Sequence, residues 1–228
     1  MIPKIIHQTY KTKDLPPQLD KISKLIQQVC PTFEYKLYDD DDIINFIKDN
    51  YDEETLHLYN MINPKLGMAR ADFFRYLLIY KVGGFYFDIK SYPTRDLSEW
   101  AEHFSFITAH WYDYHHADKL KYKLGEFQNW HIMSEPGHPI LAQVIHRTKE
   151  NIKNYTHRPG YIHVKMDVLD VTGPLCYSRA ILEVKDQYKE GYLEFESSNY
   201  LGLVYDGVAT GHHSIYTGYL DKEPVVIK

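Results

Sequence analysis

The clearest hydrophobic pattern lies in residues 65–82, where apolar side chains recur every three or four positions. One stripe consists of Leu66, Ala69, Phe73, Tyr76, Leu77 and Tyr80. Phe74 and Leu78 lie on the other side, so the spacing predicts a helix that is apolar on more than one face and therefore buried. The glycine pair at 83–84 ends this helix. A short aromatic strand is predicted at 85–87.

Periodicity elsewhere predicts strands and helices that alternate along the chain. Strands are expected at 2–10, 33–38, 105–109, after Asn129, and at the end of the chain at 225–227. Helices are expected at 19–29, 43–48, 50–63, 140–151 and 175–185. The acidic run at 39–42 is suited to the first turn of a helix. Thr172 is expected to cap the helix that follows it. This alternation is typical of an α/β domain.

Two charged residues interrupt the apolar helix, and two more follow the aromatic strand. Asp72 and Arg75 are three positions apart and are therefore neighbours on the helix surface. Asp88 and Lys90 stand at the carboxyl end of the strand, which is where α/β sheets bind ligands. Burying charges is costly unless they are paired or used. The residues alone allow either a structural Asp–Arg pair or a ligand site.

Composition and charge exclude several classes of protein. At 228 residues with a net charge of −5, we expect one domain, 1–228, and no nucleic-acid partner. The two cysteines are too few for a disulfide framework and suit a reducing compartment. We find no signal peptide and no apolar run of the about 20 residues that a transmembrane helix needs. A cytoplasmic location is the expectation.

The pattern Ala69, Asp72, Arg75, Gly83-Gly84 and Asp88 resembles the core of glycosyltransferase family 32, the DXD sugar-binding region group. That group includes the fungal initiating α-1,6-mannosyltransferases, and clostridial toxin glycosyltransferase domains carry a similar signature. The resemblance implies a GT-A fold with a Rossmann-like mixed central sheet flanked by helices. It also implies a nucleotide-sugar donor, such as a UDP- or GDP-sugar, and retention at the transferred sugar. The acceptor would be a hydroxyl group of a glycan or glycoconjugate.

The main departure from the family is at Lys90, where the Asp-X-Asp motif normally ends in a second acid that ligates Mn²⁺ or Mg²⁺. A protonated lysine cannot ligate a metal, although it can pair with a diphosphate as a point charge. The metal set that remains by resemblance is Asp88 with His212. The resemblance thus implies a divalent metal, Mn²⁺ or Mg²⁺, whereas Lys90 in place of the second acid argues against it. A catalytically degenerate nucleotide-sugar or glycan-binding protein on the same scaffold is the alternative to an enzyme.

The same resemblance implies catalytic and donor-binding residues. The catalytic set is Asp72, Arg75 and Asp88 by resemblance, with Lys90 added for the positive charge that it could place against a diphosphate. The donor-binding set adds Gln8, Thr9, Tyr10, Gly84, Asn129, His212 and His213, with Asp39 as a further candidate. The residues by themselves leave a structural role open for many of these, as a capped strand end, a buried amide or exposed loop histidines. A zinc site among His110, His115 and His116 is conceivable, but an acceptor loop is favoured there.

Overall fold

A computed structural model of the chain describes residues 1–111, 114, 116–156, 161–205 and 225–228, with side chains for all of these except 161–163. The described strands are β1 (Ile5–Thr9), β2 (Glu34–Tyr38), β3 (Gly84–Phe87), β4 (Ser91–Pro93), β5 (Phe106–Ala109), β6 (His131–Ser134), β7 (Tyr192–Phe195) and β8 (Leu203–Tyr205). The described helices are α1 (Pro17–Val29), α2 (Asp40–Asn50), α3 (Glu53–Met61), α4 (Gly67–Val82), α5 (Ser98–His103), α6 (Ala117–Leu120), α7 (Pro139–Lys153), α8 (Tyr161–Val171) and α9 (Pro174–Val184).

Six strands form one mixed sheet in the order β2-β1-β3-β6-β5-β7. Strand β1 is parallel to both β2 and β3, and β5 is parallel to β7. Strand β6 runs antiparallel to both of its neighbours. The carboxyl ends of β1, β3 and β5 therefore lie at the same edge of the sheet as the amino end of β6. This edge brings Asp88 close to the Asn129-Trp130 segment.

The sheet separates two hydrophobic cores, and β3 contributes to both of them. Tyr86 belongs to the core that contains α4, α7 and α9, whereas Phe85 and Phe87 belong to the core on the α1 side. This division follows from the alternation of side chains along a strand. Helix α4 lies deep in the first core: Ala69, Phe73, Phe74, Tyr76, Leu77, Leu78 and Ile79 are fully buried. The prediction of a buried helix at this position is confirmed.

Most predicted elements are present, with boundaries shifted by a few residues. The helix predicted at 50–63 is present as α3, which starts later because Asp52 caps it. Two predictions about local structure were wrong. The 225–227 segment adds no strand to the sheet and makes a single bridge, from Ile227 to Ile62. Thr172 does not cap α9: the residue at the cap is Gly173, which has no capping side chain.

Several described elements had no counterpart in the sequence predictions, among them β7, β8 and α8. Both cysteines, Cys30 and Cys176, are buried and free. Over the described residues, no helix combines the length and apolarity that crossing a bilayer requires.

Gly84 provides a test of how β3 is held against β1. Its φ is +103°, and a Cβ on it would lie 2.7 Å from the Ile5 carbonyl oxygen and 2.8 Å from Nε2 of His7. We expect Gly84→Ala to lower the free energy of unfolding by about 2–4 kcal/mol, because both the backbone conformation and the contact become strained. Urea denaturation measures this.

The matched control for that measurement is Gly67→Ala. Gly67 is the first residue of α4, and nothing lies within 4 Å of the position of its missing Cβ. Alanine should there be neutral or stabilising by up to about 1 kcal/mol. Equal effects of the two substitutions would contradict the assigned role of Gly84.

Candidate active site

The centre of the candidate site is the guanidinium of Arg75, which joins helix α4 to the end of β3. Its Nη2 lies 2.9 Å from Oδ1 of Asp88, and its Nη1 lies 3.2 Å from Oδ1 of Asp72. Nη1 also donates to the backbone carbonyl of Asn129 at 2.6 Å. The predicted group of Asp72, Arg75 and Asp88 is therefore a connected cluster.

Burial makes the charges in this cluster strongly interdependent. The side chains of Arg75 and Asp72 are 4% and 10% exposed, whereas that of Asp88 is 24% exposed. Burial opposes the charge on Arg75, but the carboxylates of Asp88 and Asp72 outweigh it and hold the Arg75 pKa above its usual range. Burial raises the pKa of Asp72 to about 7, despite the lowering effect of the Arg75 charge. Asp88 is therefore the more exposed of the two acids.

A set of hydrogen bonds behind the cluster fixes the Asp72 carboxylate. Nδ2 of Asn129 donates to Oδ1 of Asp72 at 3.0 Å and also contacts the Tyr76 hydroxyl at 2.9 Å. That hydroxyl donates to the Thr172 carbonyl oxygen, and the Thr172 hydroxyl lies 3.4 Å from Oδ2 of Asp72. Asn129 was predicted as either a contact with donor or acceptor or a buried amide. The structure shows that its amide is buried and orients Asp72, and a contact with a substrate stays a prediction.

The turn after β3 is held from both sides, which sets the direction of Asp88. The Asp88 amide donates to the Trp130 carbonyl oxygen at 2.8 Å. Nε2 of Gln8 donates to the carbonyl oxygens of Asp88 and Ser91 at 3.0 and 3.2 Å, and Oε1 of Gln8 accepts from the Tyr35 hydroxyl. Gln8 is fully buried. Both Nε2 and Oε1 of Gln8 are hydrogen-bonded within the protein, so this side chain positions the turn and is not available to a donor.

Thr9 and Tyr10, the two residues that follow Gln8, differ in how deeply they are buried. Thr9 is buried, and its hydroxyl is 2.9 Å from the Tyr86 hydroxyl. The Tyr86 ring in turn lies 4.7 Å from the guanidinium of Arg75. Thr9 thus supports the cluster indirectly, because it holds the Tyr86 ring that packs against Arg75. Tyr10 is half-buried at the edge of the sheet, and for it stacking on a donor stays a prediction.

Two further donor-binding predictions do not fit the structure. Gly84 begins β3, at the end opposite Asp88, where it packs on Ile5 and His7. Asp39 is the capping residue of α2, where its side chain accepts from the Asp42 amide. Both positions therefore have structural roles. His212 and His213 lie outside the described residues.

Lys90 differs from the other charged groups of the site because its ammonium has no polar partner within the part of the chain that the structure describes. The residue is 7% exposed, and Nζ lies 4.3 Å from the centre of the Tyr205 ring. Among the described residues Nζ forms neither a hydrogen bond nor an ion pair. Burial lowers the pKa of Lys90, partly offset by the negative charge of Asp88. Tyr205 was not predicted to take part, because β8 is too short to be recognised in the sequence.

The described residues do not fit a divalent metal at this strand end. Asp88 is the acid there, and one of its two oxygens is bound to Arg75. Across the part of the chain that the structure describes, no group of three or more His, Cys, Asp or Glu side chains could hold a metal. The His212 that was paired with Asp88 in the predicted metal set is not described.

The histidine-rich stretch also lacks a described zinc site. His110 is buried, and its Nε2 is 2.9 Å from a carboxylate oxygen of Glu194. Nδ1 of His116 lies 2.6 Å from Oε2 of the buried Glu126. The third residue, His115, lies outside the described residues. His110 and His116 thus have separate carboxylate partners, Glu194 and Glu126.

Comparisons with known proteins show which sequences and folds this chain is similar to. A family model described as a glycosyltransferase sugar-binding region containing a DXD motif matches residues 16–107, which include the whole charge cluster except Asn129. An uncharacterized glycosyltransferase of Acanthamoeba polyphaga mimivirus is 32% identical over 146 residues, 63% of this chain and 54% of that protein. Inositol phosphoceramide mannosyltransferase 3 of Schizosaccharomyces pombe is 29% identical over 177 residues, 78% of this chain and 44% of that protein.

The chain therefore spans about half the length of the curated relatives it matches. Among solved structures, the PaToxG glycosyltransferase superposes with a TM-score of 0.58 at 17% identity, over 80% of this chain and 68% of that one. At this identity the likeness shows the fold, and the GT-A prediction is confirmed. The resemblance carried by residues 69–88 is confirmed as well.

Replacing Arg75 tests whether the cluster stabilises the fold. We expect Arg75→Met to lower the free energy of unfolding by about 3–5 kcal/mol, because two carboxylates are left facing each other in a buried site. The control is Arg179→Met, which removes an ion pair with Asp170. The side chains of Arg179 and Asp170 are 36% and 32% exposed, so this substitution should lower the free energy of unfolding by less than about 1 kcal/mol. Urea denaturation at pH 7.5 compares them. Similar costs would argue against a buried charge cluster.

The raised pKa of Asp72 predicts a dependence of stability on pH. The folded protein keeps a proton on Asp72 up to about pH 7, whereas the unfolded chain releases it near pH 4. The free energy of unfolding should therefore fall as pH rises from about 4 to about 7. Asp72→Asn has no proton to lose at this position and should lack this pH dependence. The free energy of unfolding of Asp72→Asn, relative to that of the wild type, should therefore increase by up to about 4 kcal/mol between about pH 4 and about pH 7.

Urea denaturation of both proteins between pH 4.5 and pH 7.5 measures this difference. The control is Asp49→Asn, at an exposed position of α2. Parallel stability curves for Asp72→Asn and the wild type would contradict the assignment of the proton to Asp72.

Proposed function

We propose that this chain, which contains a glycosyltransferase sugar-binding region and has the fold of glycosyltransferase domains, transfers a sugar from a nucleoside-diphosphate sugar to a hydroxyl acceptor. The acceptor is a glycan or glycoconjugate, and the transferred sugar keeps its anomeric configuration. The donor carries UDP or GDP. The observation that carries this proposal is the ion-paired group of Asp72, Arg75 and Asp88 at the carboxyl end of β3.

Asp88 has one carboxylate oxygen without a partner among the described residues, and one oxygen of Asp72 has only a long hydrogen bond. Oδ1 of Asp72 accepts from Arg75 and Asn129, while Oδ2 has the longer, 3.4 Å contact with the Thr172 hydroxyl. Oδ1 of Asp88 is bound to Arg75, and Oδ2 has no partner among the described residues. Carboxylate oxygens fixed in this way accept hydrogen bonds from sugar or ribose hydroxyls in a defined direction.

In this proposal Arg75 is a positioning residue, and the two acids contact the donor. Arg75 holds both carboxylates in one orientation before the donor arrives, so little reorganisation is needed on binding. Asp72 binds hydroxyls of the transferred sugar. Asp88, being more exposed, binds the ribose or the sugar closer to the leaving diphosphate.

A second candidate function is a binding protein that holds a nucleotide sugar or a glycan without turnover. Lys90 is the observation that favours it, because the residue departs from the acid that ends the DXD motif. Fold similarity does not decide between the two, since one fold supports many activities.

Turnover across a panel of UDP- and GDP-sugars, with glycan acceptors and with donor hydrolysis as a second readout, tests the proposal. We expect Asp88→Asn to lower the rate at least about 100-fold, because a misplaced donor loses its alignment with the acceptor. The control Asp186→Asn changes an exposed acid and should leave the rate unchanged. Donor binding without turnover under any condition would favour the binding protein, and the absence of both would refute the proposal.

A further inference from the structure

We infer that the ammonium of Lys90 takes the place of the divalent metal as the positive charge that binds the diphosphate of the donor, so that donor binding needs no metal. This inference rests on the proposed function, since it concerns the same donor. It is drawn from three features of the site: the engagement of Arg75, the unpaired charge of Lys90, and the sum of charges at the strand end.

Arg75 is not available to bind a phosphate. Its Nη1 and Nη2 contact Asp72, Asp88 and the Asn129 carbonyl oxygen, and its Nε donates to the Ala71 carbonyl oxygen at 3.3 Å. One face of the guanidinium is covered by the Tyr86 ring. With its side chain 4% exposed, Arg75 can reach an added anion only by breaking the cluster.

Lys90, in contrast, carries a buried charge that forms neither a hydrogen bond nor an ion pair among the described residues, although the negative charge of Asp88 acts on it without direct contact. Its Nζ rests on the Tyr205 ring at 4.3 Å, and a cation over an aromatic face is only modestly stabilised. An ammonium removed from water without a hydrogen-bond acceptor is costly. A bound diphosphate would supply charged oxygen acceptors and remove that cost.

The charges at the strand end add up differently with lysine than with aspartate. Asp72, Arg75, Asp88 and Lys90 sum to zero when both acids are ionised. With aspartate at position 90 the sum would be −2, and a divalent cation would be needed to restore neutrality before two phosphates could bind. Replacing aspartate by lysine changes the local charge by +2, which equals the charge that one Mn²⁺ or Mg²⁺ would bring.

The same geometry disfavours a metal ion in addition to Lys90. Hard divalent cations require several oxygen ligands, and Asp88 has one oxygen occupied by Arg75. An ammonium two residues away would repel the ion. The lysine is a point charge with three donors that can approach either phosphate.

Calorimetric titration with UDP and with GDP tests whether Lys90 binds the diphosphate without a metal. Each nucleotide is titrated into the wild type and two variants, once with a chelator and once with Mn²⁺. We expect the wild type to bind one of the nucleotides with an affinity that differs less than about threefold between the two conditions. Lys90→Met should bind at least tenfold more weakly in both, because it keeps the stem but not the charge. Lys90→Asp should bind the nucleotide weakly in chelator, and its affinity should rise at least tenfold in Mn²⁺.

The control variant is Lys21→Met, on the exposed face of α1, which should bind like the wild type. Urea denaturation confirms that each variant is folded before it is titrated. Binding by the wild type only in Mn²⁺ would overturn the inference while leaving the proposed function intact. Metal-free binding without turnover would support the inference and refute the proposed enzyme. If the wild type bound neither nucleotide in either condition, both would be refuted.

Discussion

The interaction on which the site depends is the buried bridge from Arg75 to Asp72 and Asp88. A guanidinium inside a protein is tolerated only when its donors are occupied, and here they are occupied by one acid of helix α4, one acid beyond β3 and two backbone carbonyl oxygens. These contacts fix the distance between the helix and the strand end. The same contacts orient the carboxylates, so stability and ligand geometry share one cause.

The rest of the fold holds the Arg75 bridge in position. The parallel arrangement of β1 and β3 aligns their carboxyl ends, and Gln8 extends this alignment by binding the backbone of the turn that carries Asp88. Asn129 approaches from the amino end of the antiparallel β6 and contacts both Asp72 and Arg75. Four separate segments therefore converge on one group, and each satisfies polar atoms that would otherwise be buried without partners.

Local physical chemistry explains why much of this could be predicted from sequence. Helix α4, β3 and the glycines between them follow from hydrophobic spacing and turn preferences. The placement of Asp72 and Arg75 on adjacent turns follows from helix geometry alone. The rule that strand ends bind ligands then singled out Asp88. Distant partners were not predicted: Gln8 and Gly84 were assigned to a donor, whereas Gln8 holds the turn after β3 and Gly84 packs on β1. The helix-capping role of the acidic run was predicted correctly, because Asp39 caps α2 through its neighbour Asp42.

The sequence by itself determined the buried helix, the strand, the family resemblance and the substitution of lysine at position 90. Only the tertiary structure decided which polar groups are satisfied internally and which remain for a ligand. Thr172 contacts Asp72 from 100 residues away, and Tyr205 covers Lys90 from a strand too short to predict. Hydrogen bonding and desolvation depend on the atoms that surround a group in space, and neither periodicity nor spacing specifies those atoms.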